Sequence, residues 1–222
     1  MLEKDYYPKV AEWAKTNLGC FHTGIDTGLR LGRIDVVGLR DRGGRLSGRA
    51  EVISIEVKRG TQPFATSIGQ ASGYGIYADR TYLAEYRTKA FSEDERAIAA
   101  HLGVGLVRIS GEHRMRLTEV VTAPPREPME GLRLEIVEKL GHSLCTVCAS
   151  FFQRGTTGNF MSRVVRRDGP KKRVADAVAA DKGLVYWLDE VSSRSPNPAG
   201  SESATVYHRR YVCPGCVQGL FA

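Results

Sequence analysis

Two carboxylates and an ammonium group lie close together along this chain: Asp35, Glu56 and Lys58. Residues 31–39 read Leu-Gly-Arg-Ile-Asp-Val-Val-Gly-Leu, and residues 51–58 read Glu-Val-Ile-Ser-Ile-Glu-Val-Lys. Both stretches are rich in β-branched residues, and Gly43, Gly44 and Gly48 lie between them. That is the pattern of a hairpin. Side chains alternate across a strand, so Glu56 and Lys58 share one face while Ile53, Ile55 and Val57 fill the other. Asp35, from the partner strand, completes a carboxylate pair. Two carboxylates suit a hard cation such as Mg²⁺ or Mn²⁺, which takes oxygen ligands. A lysine beside them can hold and help deprotonate an attacking water, so phosphodiester hydrolysis is within the reach of this set. A Glu-x-Lys tripeptide on a strand is most often a solvated face. Here it ends an apolar strand, and no other Asp/Glu-x-Lys tripeptide occurs in the sequence.

The elements that must position these residues follow from the pattern around them. A helix over residues 5–18 opens the chain and carries Glu12. After Lys58, the run Arg59-Gly60-Thr61-Gln62-Pro63 reads as a loop, and residues 64–77 read as a small-residue helix despite three glycines. Gln70 and Tyr74 are four apart in it and would project from one face. A strand over 80–86, a helix from 92 to 102 and a strand over 105–109 complete the series. Ser92 and Glu95 have capping-box spacing. Asp26 and His22 could line a cleft, although turn chemistry accounts for Asp26 equally well. Glu51, at the start of its strand, is expected to be exposed, as are His101 and His113.

In this order the chain resembles the PD-(D/E)xK nuclease superfamily, over roughly residues 1–112. The resemblance rests on Asp35, Glu56-Val57-Lys58 and Gln70-x-x-x-Tyr74 within the succession helix, strand, strand, helix, strand, helix, strand; residue 34 is Ile where the motif has Pro. It implies an α/β, restriction-endonuclease-like mixed central sheet flanked by helices. By the same resemblance Asp35, Glu56 and the main-chain carbonyl of Val57 would hold Mg²⁺ or Mn²⁺. Lys58 would position the nucleophile, Gln70 would orient the site or touch the phosphate backbone, and Glu12 could be an extra acidic residue from the first helix. DNA is the expected substrate, because most of the superfamily acts on DNA.

A second constellation is two C-x-x-C pairs, Cys145-Thr-Val-Cys148 and Cys213-Pro-Gly-Cys216. Four thiolates make a closed, structural tetrahedral zinc site with no open position for catalysis. A redox dithiol or two separate disulfides is the alternative. His142 and His208 flank the pairs, and Cys20 reads as a small buried hydrophobe. Between the knuckles Arg154, Arg163, Arg166, Arg167, Lys171, Lys172 and Arg173 cluster against Asp168 alone. Runs of this kind are often solvated surface. Beside a zinc module, in a chain of net charge +7 and pI near 9.3, they favour a polyanionic partner. Phe151, Phe152 and Phe160 interleave with them and read as core of the small module. Residues 174–180 look helical, 183–190 and 205–212 look like strands, and 192–204 read as an exposed loop.

The 222 residues suffice for one sizeable core and a small module, and the Pro-rich run at 123–128 suggests a boundary. The expected division is a nuclease domain over 1–125 and a zinc-ribbon-like, nucleic-acid-binding module over 126–222, entered by a helix over 129–140. Without metal that module would have a thin core. No run of eighteen apolar residues and no signal-peptide pattern occurs, which points to a cytoplasmic protein in a reducing compartment with no membrane partner. The absence of a Walker-type loop argues against built-in ATP-driven translocation. Nucleic acid is the expected partner, with a second copy or a helicase complex as further candidates. A catalytically inactive binding or assembly subunit is the alternative to a nuclease.

Overall fold

The computed structural model describes residues 2–29, 32–42, 49–111, 114–145, 147–153, 184–187, 209–213 and 215–216. The chain forms two compact units, Met1–Leu140 and Gly141–Ala222. The first is α/β. A short 3₁₀ turn, Glu3–Tyr6, leads into helix α1, Tyr7–Leu18. Pro8 sits in its first turn, where a missing N–H costs nothing, and Gly19 ends it in the left-handed region that glycine tolerates. Strands β1 (His22–Leu29), β2 (Gly32–Arg42) and β3 (Arg49–Lys58) follow. Then come α2 (Phe64–Gly73), a 3₁₀ turn Tyr74–Ile76, β4 (Arg80–Tyr86), α3 (Glu93–Leu102), β5 (Gly105–Ser110), β6 (Arg116–Val121) and α4 (Glu130–Lys139).

The six strands form one mixed sheet in sequence order. β1, β2 and β3 are antiparallel neighbours, β3, β4 and β5 run parallel, and β6 returns antiparallel. The two parallel connections contain α2 and α3, as parallel strands require a crossover. Alternation along β3 sorts its residues between two cores. Ile53, Ile55 and Val57 pack with Val10, Trp13 and Ala14 of α1 on one face. Ile68 and Ala71 of α2 and Ala99 of α3 pack over Leu83 and Leu106 on the other. Ser54, Glu56 and Lys58 alternate with the first set, so they belong to the face that carries α2.

Several expectations change. The antiparallel pairing of β2 with β3 agrees with the hairpin pattern, and the Ser92–Glu95 capping box forms, with Glu95 N–H donating to Ser92 Oγ at 3.1 Å. β1 and β6 were not expected. β1 reads His-Thr-Gly-Ile-Asp-Thr-Gly-Leu, with two glycines and Asp26 at φ +55°, so local pattern hides a strand that its neighbour β2 imposes. Glu51 is buried rather than exposed, paired with Arg40 opposite it and with Arg80 Nε at 3.2 Å. Helix α4 falls in the first unit, so the division lies at 140/141 and not at 125/126. Arg133 ties it down by an ion pair to Asp79 at 2.8 Å and a hydrogen bond to the Ala50 carbonyl, and Lys139 bonds the Gly28 carbonyl.

Among the described residues the second unit contains two antiparallel two-stranded ribbons: β7 (His142–Leu144) with β8 (Phe151–Gln153), and β9 (Leu184–Trp187) with β10 (Arg209–Val212). The basic residues Arg154, Arg163, Arg166, Arg167, Lys171, Lys172 and Arg173, with Phe160, His208 and the expected helix over 174–180, lie outside the described residues. No helix among the described residues is long and apolar enough to cross a membrane.

Candidate functional site

The ladder between β2 and β3 ends at Val36 opposite Ile55. Beyond that point β2 pairs with β1 only, from Ile34 to Gly32, and β3 pairs with β4, from Glu56 to Lys58. The Val57 N–H is not taken by a β2 carbonyl. It donates to Asp35 Oδ2 at 2.8 Å, so a side chain closes the end of the ladder. In an extended strand the N–H and C=O of one residue point to the same side. The Val57 carbonyl therefore faces the same gap as Asp35. The other carboxylate oxygen, Oδ1, accepts the Tyr7 hydroxyl of α1 at 2.6 Å.

Glu56 and Lys58 are 3% and 7% exposed, and Lys58 Nζ lies 2.6 Å from Glu56 Oε1. The second Glu56 oxygen, Oε2, is buried without a hydrogen-bond partner. Burial raises the Glu56 carboxyl above its ordinary range and Asp35 adds to this, while Lys58 and Tyr74 oppose it. Burial acts against the Lys58 charge, yet Glu56, Glu3 and Asp35 outweigh it, and the ammonium is held above its usual value. Tyr74 stands beside Glu56 and donates to the Arg33 carbonyl at 2.6 Å. Burial and then Glu56 push its phenol up, as burial and Asp35 do for Tyr7, so both hydroxyls stay protonated donors.

The site thus brings together Asp35, Glu56, Val57 and Lys58. Gln70 is exposed on α2, and Tyr74, in the turn after the helix, is the residue that reaches Glu56. Glu12 is solvated and pairs with Lys15 at 3.9 Å. The acidic residue that the start of the chain brings to the site is Glu3, 3.6 Å from Lys58 Nζ. Glu3 and Tyr7 were missed because only the packing of α1 on the sheet reveals their proximity; their four-residue spacing on one side of a helical segment was the available signal. Asp26, whose carboxyl is held low by a hydrogen bond from Arg33, pairs with Arg33 Nη1 at 2.8 Å instead of joining the carboxylates.

In the second unit the four cysteine sulfurs lie within 4.8 Å of one another, and all are free thiols. Among the described residues this is the one group of three or more such side chains able to hold a metal ion. The first pair sits in the turn between β7 and β8, and the second follows the end of β10. Cys145 N–H bonds the Ser150 carbonyl at 2.9 Å and Ala149 N–H bonds the Cys145 carbonyl at 2.8 Å, which folds the first knuckle tightly. β10 runs into the second, where Cys213 N–H points at Cys145 Sγ and Cys216 N–H at Cys213 Sγ, at 3.3 and 3.4 Å. Cys148 and Cys213 sulfurs are 3.8 Å apart, too far for a disulfide. A tetrahedral ion with metal–sulfur bonds of about 2.3 Å would place its sulfurs roughly this far apart. His142 is buried in β7 and is not one of the group.

No family model and no curated protein matches this chain. Among solved structures it is similar to SPO1766, a protein of unknown function from Silicibacter pomeroyi, at 18% identity and a TM-score of 0.41, over 63% of this chain and 84% of that one.

Proposed function

We propose that this chain is a metal-dependent nuclease of the PD-(D/E)xK kind, with a restriction-endonuclease-like first unit and a zinc-stabilised second unit that assists binding of nucleic acid, most simply DNA. The observation that carries the reading is the gap at the end of the β2–β3 ladder, into which Asp35, Glu56 and the Val57 carbonyl deliver hard oxygen donors beside Lys58. Glu56 Oε2 supports it, because a buried carboxylate oxygen without a partner is costly unless something binds it. These donors fit Mg²⁺ or Mn²⁺, which would supply Lewis acidity, polarising a phosphoryl oxygen and lowering the pKa of a water.

The chain's own groups do the rest. Tyr7 and the Val57 N–H fix the Asp35 carboxylate from two sides, so its orientation is set before any ligand arrives. Lys58 keeps its proton and presents a positive charge where a nucleophile would be drawn and negative charge would develop on phosphorus oxygens. Glu56 restrains that ammonium through the 2.6 Å pair. Tyr74 walls the other side of Glu56. In the second unit, four thiolates at tetrahedral spacing suit Zn²⁺ and leave no open position, which makes the ion a structural one.

The deciding experiment is cleavage of single-stranded, nicked, branched and linear duplex substrates in Mg²⁺ or Mn²⁺ by wild type and Lys58→Ala. Activity is expected in wild type and should fall by about 10²–10³-fold in the variant, the range for loss of one preorganised group that stabilises transition-state charge. Binding without cutting by either, at any divalent ion, would instead assign the chain to the non-cutting binding or assembly class.

A further inference from the structure

β3 and β4 run parallel and end together, Lys58 beside Glu85. Immediately beyond them lies a cavity of about 310 Å³ lined by Arg59, Gly60, Tyr86, Arg87, Thr88 and Lys89. Its wall is held rigidly. Arg87 N–H donates to the Ile109 carbonyl at 2.9 Å, and Arg108 donates to the carbonyls of Arg87 and Thr88 at 3.3 and 3.0 Å. The Arg87 guanidinium is itself committed, in a two-point pair with Glu95 at 2.8 and 2.7 Å and over the Phe91 ring at 4.5 Å. Gly60 adopts φ +71° with its Cα against the Tyr86 carbonyl, where a Cβ would collide, so the backbone of the loop comes close to the strand end.

What is left over is charge. Arg59 and Lys89 are exposed and make no ion pair among the described residues, although both line a preformed cavity. Glu85 lies beneath Gly60, 2% exposed. Burial raises its carboxyl, against Arg87 and with Glu95, and so disfavours a negative charge under the cavity. Arg59 follows Lys58 directly at the end of β3 and lines the cavity, so a strand with one phosphate at Lys58 would run on past it.

We propose that this cavity is a phosphate subsite, in which Arg59, Lys89 and the Thr88 hydroxyl hold the backbone phosphodiester next to the one presented to Lys58. The anion site stands on the geometry of the cavity; its assignment to a nucleic-acid strand rests on the nuclease reading above. The subsite supplies register, because a strand gripped one phosphate away from Lys58 can offer only one bond to the gap.

The test uses the full chain and two probes. Inorganic phosphate is titrated while the amide resonances of Gly60, Thr88 and Lys89 are followed by NMR, in wild type and in Arg59→Ala/Lys89→Ala. Binding of a fluorescent oligonucleotide in Ca²⁺ is then measured against salt. Phosphate should move these resonances in wild type and not in the variant. The variant should bind the oligonucleotide about tenfold more weakly, with a salt slope lower by about one. A single uncharged methylphosphonate beside the scissile bond should weaken wild type and leave the variant unaffected. Resonances that do not respond to phosphate, or an oligonucleotide affinity and slope unchanged in the variant, would overturn the subsite even if wild type cuts. Phosphate bound at the cavity by a protein that neither binds nor cuts nucleic acid would keep the anion site and overturn both the nuclease reading and the strand assignment.

Discussion

At the scale of single residues, the site is held by contacts that cross the chain. Asp35 is shared between a backbone N–H of β3 and a phenol from α1, so its carboxylate cannot swing away from the gap. Asp35→Asn and Glu56→Gln should keep the fold and lose cutting; retained cutting in either would identify other carboxylates as the metal ligands. Tyr7→Phe removes one hydrogen bond to a charged acceptor, worth about 1.5–3 kcal/mol, and should lower both stability and cleavage. Urea denaturation and single-turnover rates would report the two effects separately. Glu85 gives a prediction in pH. Burial raises its folded value above the unfolded one, so its contribution to stability is fully present below the unfolded carboxyl range, about 4.3, and is lost as pH rises through the folded value. Glu85→Gln should therefore lose less stability than wild type between pH 4 and pH 8 in urea titrations. Equal losses would show that Glu85 is charged in the folded protein at neutral pH.

At the scale of elements, β3 is the axis of the first unit. Its apolar face is buried under α1, its polar face carries the site, and it is the strand at which the sheet changes from antiparallel to parallel pairing. Ile55 is fully buried there. Ile55→Ala should cost about 2–5 kcal/mol, in the range of buried aliphatic truncations. The hairpin and the helices α2 and α3 were legible because each has its own local signature: a β-branched run, glycine punctuation, a capping box. β1 was not, since two glycines and a left-handed Asp26 break its alternation, and only pairing with β2 makes it a strand. In the second unit the cysteines follow strands β7 and β10. Purified protein should carry about one zinc per chain. Cys213→Ser should abolish that metal while the thermal transition of the first unit survives, read by calorimetry alongside metal analysis.

For the whole molecule, charge is the dominant property. A net +7 favours binding to polyanions, and the strength of that term falls with salt. Reversing Arg166, Arg167, Lys171 and Lys172 together should weaken nucleic-acid binding by about tenfold or more at low salt and flatten its salt dependence. Affinity that survives the reversal would place the interface on the first unit, near Arg59 and Lys89. Under the proposed nuclease reading one gap of this kind would cut one strand, so a double-strand break would require a second copy or a second event.

Sequence by itself determined the parts of this protein whose cause is local. Period-two spacing puts Glu56 and Lys58 on one strand face, and the two C-x-x-C pairs mark a group of thiols that could hold a metal ion. Tertiary structure alone decided which groups finish each site. Glu3 and Tyr7 come from the 3₁₀ turn and helix packed on the sheet, Glu51 is buried by Arg40 and Arg80, and Arg59 and Lys89 line one cavity because two parallel strands end side by side. Those contacts join residues many positions apart, and their energies depend on distance through space, which no local pattern records.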